Sequence, residues 1–405
     1  MLSERDAAWV RGTPAIVAAL ALSVTGVLMF KVLPLLVGAA ADQFHVGPRE
    51  LGLLASSDLV GITIASLLAP LWVRRVDWRR AGLAALALVA AGNLASAFAP
   101  SLTALLALRV ATGLGEGMAS GLALVILSDT RHPDRAFALA VAAPILVGLL
   151  AFQAMPPLAA AWGYDGVVLA LAALAALFAL LMPALPARGR PVEPRGTGAA
   201  RTGGPRWLVA TALVAALLYH VGLGAVWAFV ERMGVAAGFA PAAIGATLGI
   251  AVVFGLAGAS LAAIVGVRYG RLWPIALAVA GQCAALLLLR EPMTHAGFAV
   301  AACAFQFLWL LSVPYQLGII AQADAGGRLF VLALAFQAGG VALGPMIGGA
   351  LLGAEGFGPV RALTAATLLA SLVLYVPVVR ALARREDASP ADAPGATPPA
   401  RAPAP

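Results

Sequence analysis

Long apolar runs broken by short polar punctuation recur along the whole chain. A run needs about 20 apolar residues to cross the hydrocarbon core of a bilayer as a helix. Twelve runs meet that length, at 14–40, 51–73, 81–99, 102–127, 136–158 and 166–184, then at 207–230, 243–266, 273–290, 295–319, 329–352 and 360–382. The pattern breaks at 185–206, where Arg, Gly and Pro replace the apolar residues, as expected of a flexible linker. The Pro/Ala-rich tail from 386 is expected to be disordered. The chain therefore divides into a six-helix bundle at 1–184, a linker at 185–206, a second six-helix bundle at 207–385 and a tail at 386–405. The predicted fold class is an all-α integral membrane protein, with twelve transmembrane helices in two six-helix repeats.

The halves resemble each other. An ungapped offset of 193 aligns Pro48 with Pro241, Gly52 with Gly245, Leu68 with Leu261 and Arg75 with Arg268. The same offset aligns Arg135, Phe137, Leu139 and Ala140 with Arg328, Phe330, Leu332 and Ala333, and Gly163 with Gly356. The Gly, Pro and Arg matches carry the argument, because Ala- and Leu-rich helices align easily by chance. Parallel six-span repeats in one chain are an architecture of secondary transporters, which place the substrate between the halves.

Composition agrees with the spans. Of 405 residues, 62% are hydrophobic and 11% charged, against roughly 25% charged in soluble domains. The net charge of +8 is explained by membrane topology and anionic headgroups, not by nucleic acid, because the arginines sit in short loops. With the N-terminus inside, 20 arginines collect on the cytoplasmic side and 4 outside (Arg49, Arg232, Arg290 and Arg361), which places both termini in the cytoplasm. Trp9, Trp72, Trp78, Trp162, Trp207 and Trp273 fall at span ends, where amphipathic rings favour the interface. Cys283 and Cys303 lie inside apolar spans and read as small core residues, not as a disulfide. The polar N-terminus leads into a span too long for a cleavable signal. Scarce lysine with abundant Ala, Arg, Gly and Pro points to a GC-rich bacterial source, hence to the inner membrane.

Charges inside spans cost about 2.5–3.5 kcal/mol each on the insertion scale, so those that remain are the candidate chemistry. Lys31 is the only lysine among 26 basic residues, and unlike arginine a lysine can lose its proton. Asp58 lies at a similar depth in the second span, so the expectation is a Lys31–Asp58 pair that titrates or holds an anion, against a static ion pair. Arg109 and Glu116 are seven apart and share one helix face, with Glu116 near mid-membrane as a candidate proton carrier. His220, with Trp227 following on the same face, is a candidate titrating group, or a histidine bonded to a neighbouring carbonyl. Gln306, Trp309 and Gln316 recur at helical spacing as a polar-aromatic wall for a ligand, or as polar glue between helices.

Several segments resemble the major facilitator superfamily. The loop Pro70-Leu-Trp-Val-Arg-Arg-Val-Asp-Trp-Arg-Arg80 and its repeat Ala263-Ile-Val-Gly-Val-Arg-Tyr-Gly-Arg271 are similar to that family's G-x-x-x-D-R-x-G-R-R signature. Arg109-Val-Ala-Thr-Gly113-Leu-Gly115 is similar to the R-x-x-x-G-x-G motif of proton-coupled members. Gly344-Pro345-Met-Ile-Gly348-Gly349 is similar to the G-P-x-x-G-G motif of drug:proton antiporters, where it usually sits in the fifth span. The signature Asp, which in the family latches the cytoplasmic gate, is replaced by Arg74 and Val267. Arg75 and Arg268 remain, with Gly270 and Arg271, so the latch is expected to fall to Asp129 or Asp324.

The resemblance implies proton-coupled transport by rocking two bundles about a central site. Efflux by antiport of a drug-like compound or metabolite comes first, with protons competing for Glu116 or Asp58. Uptake of a small organic anion is the alternative, favoured by Lys31 and Arg109. A receptor or assembly protein without transport is the reading from another class, and it lacks the sizeable soluble domain expected of one. An enzyme is not expected, since H-E-x-x-H, G-x-S-x-G and P-loop patterns are missing. The expected energy source is the proton gradient, with no cofactor or metal. The expected partners are a small-molecule substrate, protons and lipid, with no nucleic acid and a monomer as the working unit.

Overall fold

A computed structural model describes residues 12–188, 205–324, 331–353 and 356–387. The N-terminal segment with Trp9, most of the linker, residues 325–330 with Arg328 and Phe330, and the tail from 388 lie outside the described residues. The described chain is all-helical: α1 (Thr13–Phe44), α2 (Pro48–Trp72), α3 (Trp78–Ser96), α4 (Leu102–Ser128), α5 (Pro133–Ala179), α6 (Arg206–Ala236), α7 (Pro241–Val265), α8 (Leu272–Leu288), α9 (His295–Ala323), α10 (Val331–Leu351) and α11 (Gly358–Asp387). Nine of these are long and apolar enough to cross a membrane, which makes this a multi-pass membrane protein; α3 and α8 fall short of the length or hydropathy required.

Eleven helical elements are counted where twelve were expected, because the fifth and sixth runs are two helices that meet at a kink with no loop between them. They form one element of 47 residues, whose only non-helical backbone is Gly163 at φ 62°, ψ −150°. Straight, it would span about 70 Å, more than twice the hydrocarbon thickness. It does not run straight. Gly148 lies against Lys31, and Leu171 shares a small cavity with Leu28 and Met29, so residues before and after Gly163 flank the same stretch of α1. A single positive-φ glycine makes the reversal. Gly356, its repeat equivalent, also has positive φ, at 70°.

The repeat is visible in packing. α2 and α7 are both 25 residues long and begin on the matched prolines 48 and 241. Gly52 packs against the Pro345 carbonyl and Gly349 of α10, while Gly245 packs against the Phe152 carbonyl and Pro156 of α5. Positions 152 and 156 are offset by 193 from 345 and 349, so the two contacts are related by the same internal symmetry.

These contacts close one end of the molecule. Between the halves, the contacts run from the Pro48 end of α2 to about mid-depth: Gly349 on Pro48, Gly245 on Phe152, Arg232 on Asp42 and Phe30 on Trp309. Past mid-depth the matched residues Leu68 and Leu261, and Leu71 and Ile264, are exposed. Small residues permit the close approach, since van der Waals packing rather than a hydrophobic drive holds helices together in lipid.

Prolines set several contacts. A proline lacks an N–H, so the carbonyl four residues before it loses its helical donor. Pro34 frees Phe30 O, which accepts a bond from Trp227 Nε1 at 3.0 Å across the halves. Pro144 frees Ala140 O, which accepts from Ser23 Oγ at 3.2 Å. Pro156 and Pro345 free Phe152 O and Val341 O, which meet Gly245 and Gly224, where no side chain keeps the neighbouring backbone away.

Two local expectations are corrected. Trp78 is not an interfacial ring: it is fully buried, and its Nε1 donates to Val73 O at 2.8 Å. The linker does not begin loose at 185. Leu185 is buried, its carbonyl accepts from Arg79 Nε, and Ala187 O accepts from the Trp78 amide at 2.9 Å. Cys283 and Cys303 are free thiols, as expected.

Candidate functional site

Two groups of polar side chains lie at mid-depth, back to back across α1. The first is sealed inside the first half. Gly113 of α4 sits directly on the Asp58 carbonyl of α2, with Gly61 and Gly117 extending the contact. That approach brings the Arg109 guanidinium onto Asp58: Nη2 stands 2.6 Å from Oδ1, and Nε donates to Oδ2 at 2.8 Å. Asn93 of α3 accepts from Nη1 at 2.7 Å, and Met29 Sδ of α1 lies 3.6 Å from Nη2. Arg109 and Asp58 are both 0% exposed, so the pair relies on their mutual attraction; Oδ1 is held by charge alone and has no hydrogen-bond partner.

The expected Lys31–Asp58 pair is therefore absent. Depth along a span fixes height in the membrane but not the direction a residue faces, and Asp58 faces α4. The planar fork of arginine also binds both carboxylate oxygens, which an ammonium cannot do in the same geometry. Nor do Arg109 and Glu116 pair, despite sharing a helix. Glu116 is buried, and its Oε2 has no hydrogen-bond partner. It lines a cavity of about 20 Å³ with Thr25, Met29, Asn93 and Leu171. That is room for roughly one water.

The second group faces the other half. Lys31 is 6% exposed and has no carboxylate within ion-pair distance among the described residues. Its Nζ lies 5.7 Å from the centre of the Trp309 ring of α9, a cation–π arrangement. Phe30 meets the same ring edge-on at 5.1 Å, and His220 lies 6.3 Å from it. Trp309 Nε1 has no partner, and neither do Nε2 and Oε1 of Gln306, one turn away on α9. His220 Nδ1 lies 2.8 Å from Ala216 O, and because a carbonyl only accepts, the proton is on Nδ1 and Nε2 is left as an acceptor. Trp227 has spent its N–H on Phe30 O.

Gln316 is not part of this wall. It donates to Ser312 Oγ at 3.1 Å, within a network joining Tyr219, Gln282 and Tyr375 that ties α6, α8, α9 and α11 together. The spacing of Gln306, Trp309 and Gln316 was right for a helix, but seven residues past Trp309 the α9 side chain meets its own bundle.

The predicted gate residues divide in the same way. Asp129 does take an arginine, but the partner is Arg74 at 3.1 Å, on the same half. Arg75 and Arg268 are exposed. Arg271 lies against Gly318, Gly270 is a positive-φ turn, and Asp324 ends α9. Gly344 packs on Val221 and Gly224 of α6, and Pro345 on Gly52 of α2, so this motif forms part of the closed end.

Four contributors escaped sequence reading. Asn93 was visible as a lone amide in an apolar span. Gln337 on α10, with an unpartnered Nε2, lies one turn from Gly340, which packs on His220. Asp42 and Arg232 read as ordinary loop charges, yet they form a 2.6 Å ion pair across the halves, and Arg232 also binds Glu231 at 2.6 Å. Together they line a cavity of about 490 Å³ at the closed end.

Known structures share this architecture. A bacterial homologue of the human lysosomal transporter Spinster, inward-facing and unoccupied, is 16% identical with a TM-score of 0.64, over 91% of this chain and 95% of that one. A D-xylose–proton symporter is 15% identical with a TM-score of 0.70, over 90% and 96%. The nucleoside transporter NupG is 11% identical with a TM-score of 0.69, over 91% and 99%. At such identities the likeness is one of fold. No curated protein sequence matches the chain significantly. The sequence profile described as Major Facilitator Superfamily matches residues 16–325, more than half of the chain, and the protein is therefore a member of the major facilitator superfamily, a transporter and not an enzyme.

Proposed function

We propose that the protein is a proton-coupled secondary transporter that moves a small molecule by alternating access between two six-helix bundles. The observation that carries this reading is the contact between the halves at the Pro48 end, made through residues related by the internal repeat, Gly52 on Pro345 and Gly245 on Phe152. On this reading α5 supplies two crossings, making twelve, and the surplus of arginine on the side away from Pro48 makes that side cytoplasmic in a bacterial inner membrane.

Glu116 is the proton site on this reading. A buried carboxylate with an unpartnered oxygen is unfavourable unless a proton or water accompanies it, and Glu116 lines a cavity with room for one water. Glu116 and the Arg109–Asp58 pair do not face the Lys31 group, so proton and substrate do not compete for one carboxylate. Helix α1 links the sites instead: Met29 touches Arg109 while Phe30 and Lys31 meet Trp309. A small rotation of α1 alters both.

Antiport, expelling a drug-like compound or metabolite, fits the arginine–glycine motif of α4 and the glycine–proline motif of α10. Symport is the second reading, favoured by the uncompensated charge of Lys31. Liposomes loaded with a pH dye distinguish them. Addition of a transported solute moves protons in opposite senses for the two, and Glu116→Gln abolishes the proton signal in both. Solute movement with protons still moving in Glu116→Gln removes Glu116 from the mechanism.

A further inference from the structure

Within the transport reading, we infer that the substrate is a small organic monoanion whose carboxylate, or an equivalent single negative group, is held by Lys31 between the halves. The charge balance of the mid-membrane region carries this. Two of its cations are buried at mid-depth, Arg109 and Lys31, and Asp58 neutralises the first completely at 2.6 and 2.8 Å. Lys31 has no such partner among the described residues although it is nearly fully buried. A solute with one negative charge completes it. A cation adds a second positive charge beside it, and a dianion leaves one negative charge without a partner.

The neutral groups agree in kind. Around the Trp309 ring, the unpartnered side chains offer mainly donors: three N–H on Lys31, the Trp309 Nε1 proton and the Gln306 amide. The acceptors are Gln306 Oε1 and His220 Nε2. A carboxylate has acceptors only and takes up the donor surplus. The two remaining acceptors suit a hydroxyl or N–H elsewhere on the solute, and Phe30 and the Trp309 face suit a flat or apolar body.

Leaving buried donors unmet is costly, which is why such groups in a sealed core are nearly always paired. The contrast lies within this molecule. Tyr219, Ser312, Gln282 and Gln316, equally buried, are hydrogen-bonded to one another, whereas Gln306 and Trp309 on the same helix α9 are not.

The test is solute counterflow in proteoliposomes, which needs no proton gradient. Proteoliposomes are loaded in turn with lactate, benzoate, succinate, sulfate, choline and glucose, and exchange of the labelled solute is followed. The expected result is exchange of lactate or benzoate alone. Lys31→Gln then lowers the apparent affinity roughly a hundredfold, the loss typical of truncating one partner of a buried charge pair. Lys31→Arg retains exchange, and Trp309→Phe weakens it less than Lys31→Gln does. Exchange of choline, glucose, succinate or sulfate without the monoanions overturns this inference and leaves transport standing. So does monoanion exchange that Lys31→Gln does not alter. If Lys31→Gln fails to fold, the wild-type solute profile and Trp309→Phe decide the matter. Absence of all exchange by protein with an intact unfolding transition overturns both readings.

Discussion

Asp58→Asn tests whether the Arg109–Asp58 pair is what makes a buried arginine tolerable. At 2.6 Å, two unit charges attract by about 6 kcal/mol at an effective dielectric constant near 20. Burying the two ions costs several kcal/mol each, so the intact pair comes close to break-even. Asparagine keeps the shape and removes the charge. Arg109 is then left with Asn93, the Met29 sulfur and the buried Tyr164 hydroxyl as polar neighbours, in a site with no solvent access. Removing one partner of such a pair costs about 3–5 kcal/mol. At roughly 2–4 °C per kcal/mol for a unit of about 150–250 residues, the unfolding midpoint falls by about 6–20 °C. Unfolding in detergent, followed by tryptophan fluorescence, reads the change. The double variant Asp58→Asn with Arg109→Gln removes the stranded charge and recovers most of the loss, since replacing both partners is often neutral. A midpoint within about 2 °C of wild type for Asp58→Asn, or a double variant no more stable than the single one, would refute the reasoning.

Two further outcomes follow from the packing. Gly113→Ala drives a methyl group into the Asp58 carbonyl, so it lowers stability by about 1–3 kcal/mol and slows proton-coupled flux; unchanged unfolding and flux would show that α2 and α4 can separate freely. Asp42→Asn removes the exposed half of an ion pair worth up to about 1 kcal/mol, shifting the closed end toward opening by up to about fivefold. The readout is the labelling rate of Ala39→Cys from that side, in a background of Cys283→Ser and Cys303→Ser, and an unaltered rate sinks the prediction.

What could be read from the sequence was whatever depends on one segment at a time. The helical runs, the internal offset and the interior position of Lys31, Asp58, Arg109 and Glu116 follow from apolar periodicity and from the cost of charge in lipid. The pairings did not follow, because they depend on how each helix is rotated. Lys31 and Asp58 share a depth and face apart; Arg109 and Glu116 share a helix and go to different surroundings. The break in α5 was legible, since the fifth run ends at 158 and the sixth begins at 166, but its form was not. Gly163, in a positive-φ conformation between the two runs, makes the turn with no loop. Gly163 and Gly356 stood out only as a matched pair in the offset alignment, before any conformational meaning was attached to them. Cross-half contacts such as Asp42 with Arg232 were beyond reach, since nothing local marks a loop charge as belonging to a partner 190 residues away.

The carbonyl of Phe30 has no helical donor because Pro34 follows it, and Trp227 supplies one from the opposite half. That bond exists only while the closed end is closed. When the halves part there, the carbonyl must find water or a solute donor, or stand bare at a cost of about 1–3 kcal/mol, which is roughly a 5- to 150-fold bias in an equilibrium constant. The proline thus acts as a resting preference written into the backbone: with nothing bound, the molecule leans toward the shape described here. A solute that offers an N–H or O–H at that height removes the lean, so occupancy itself becomes permission to change shape.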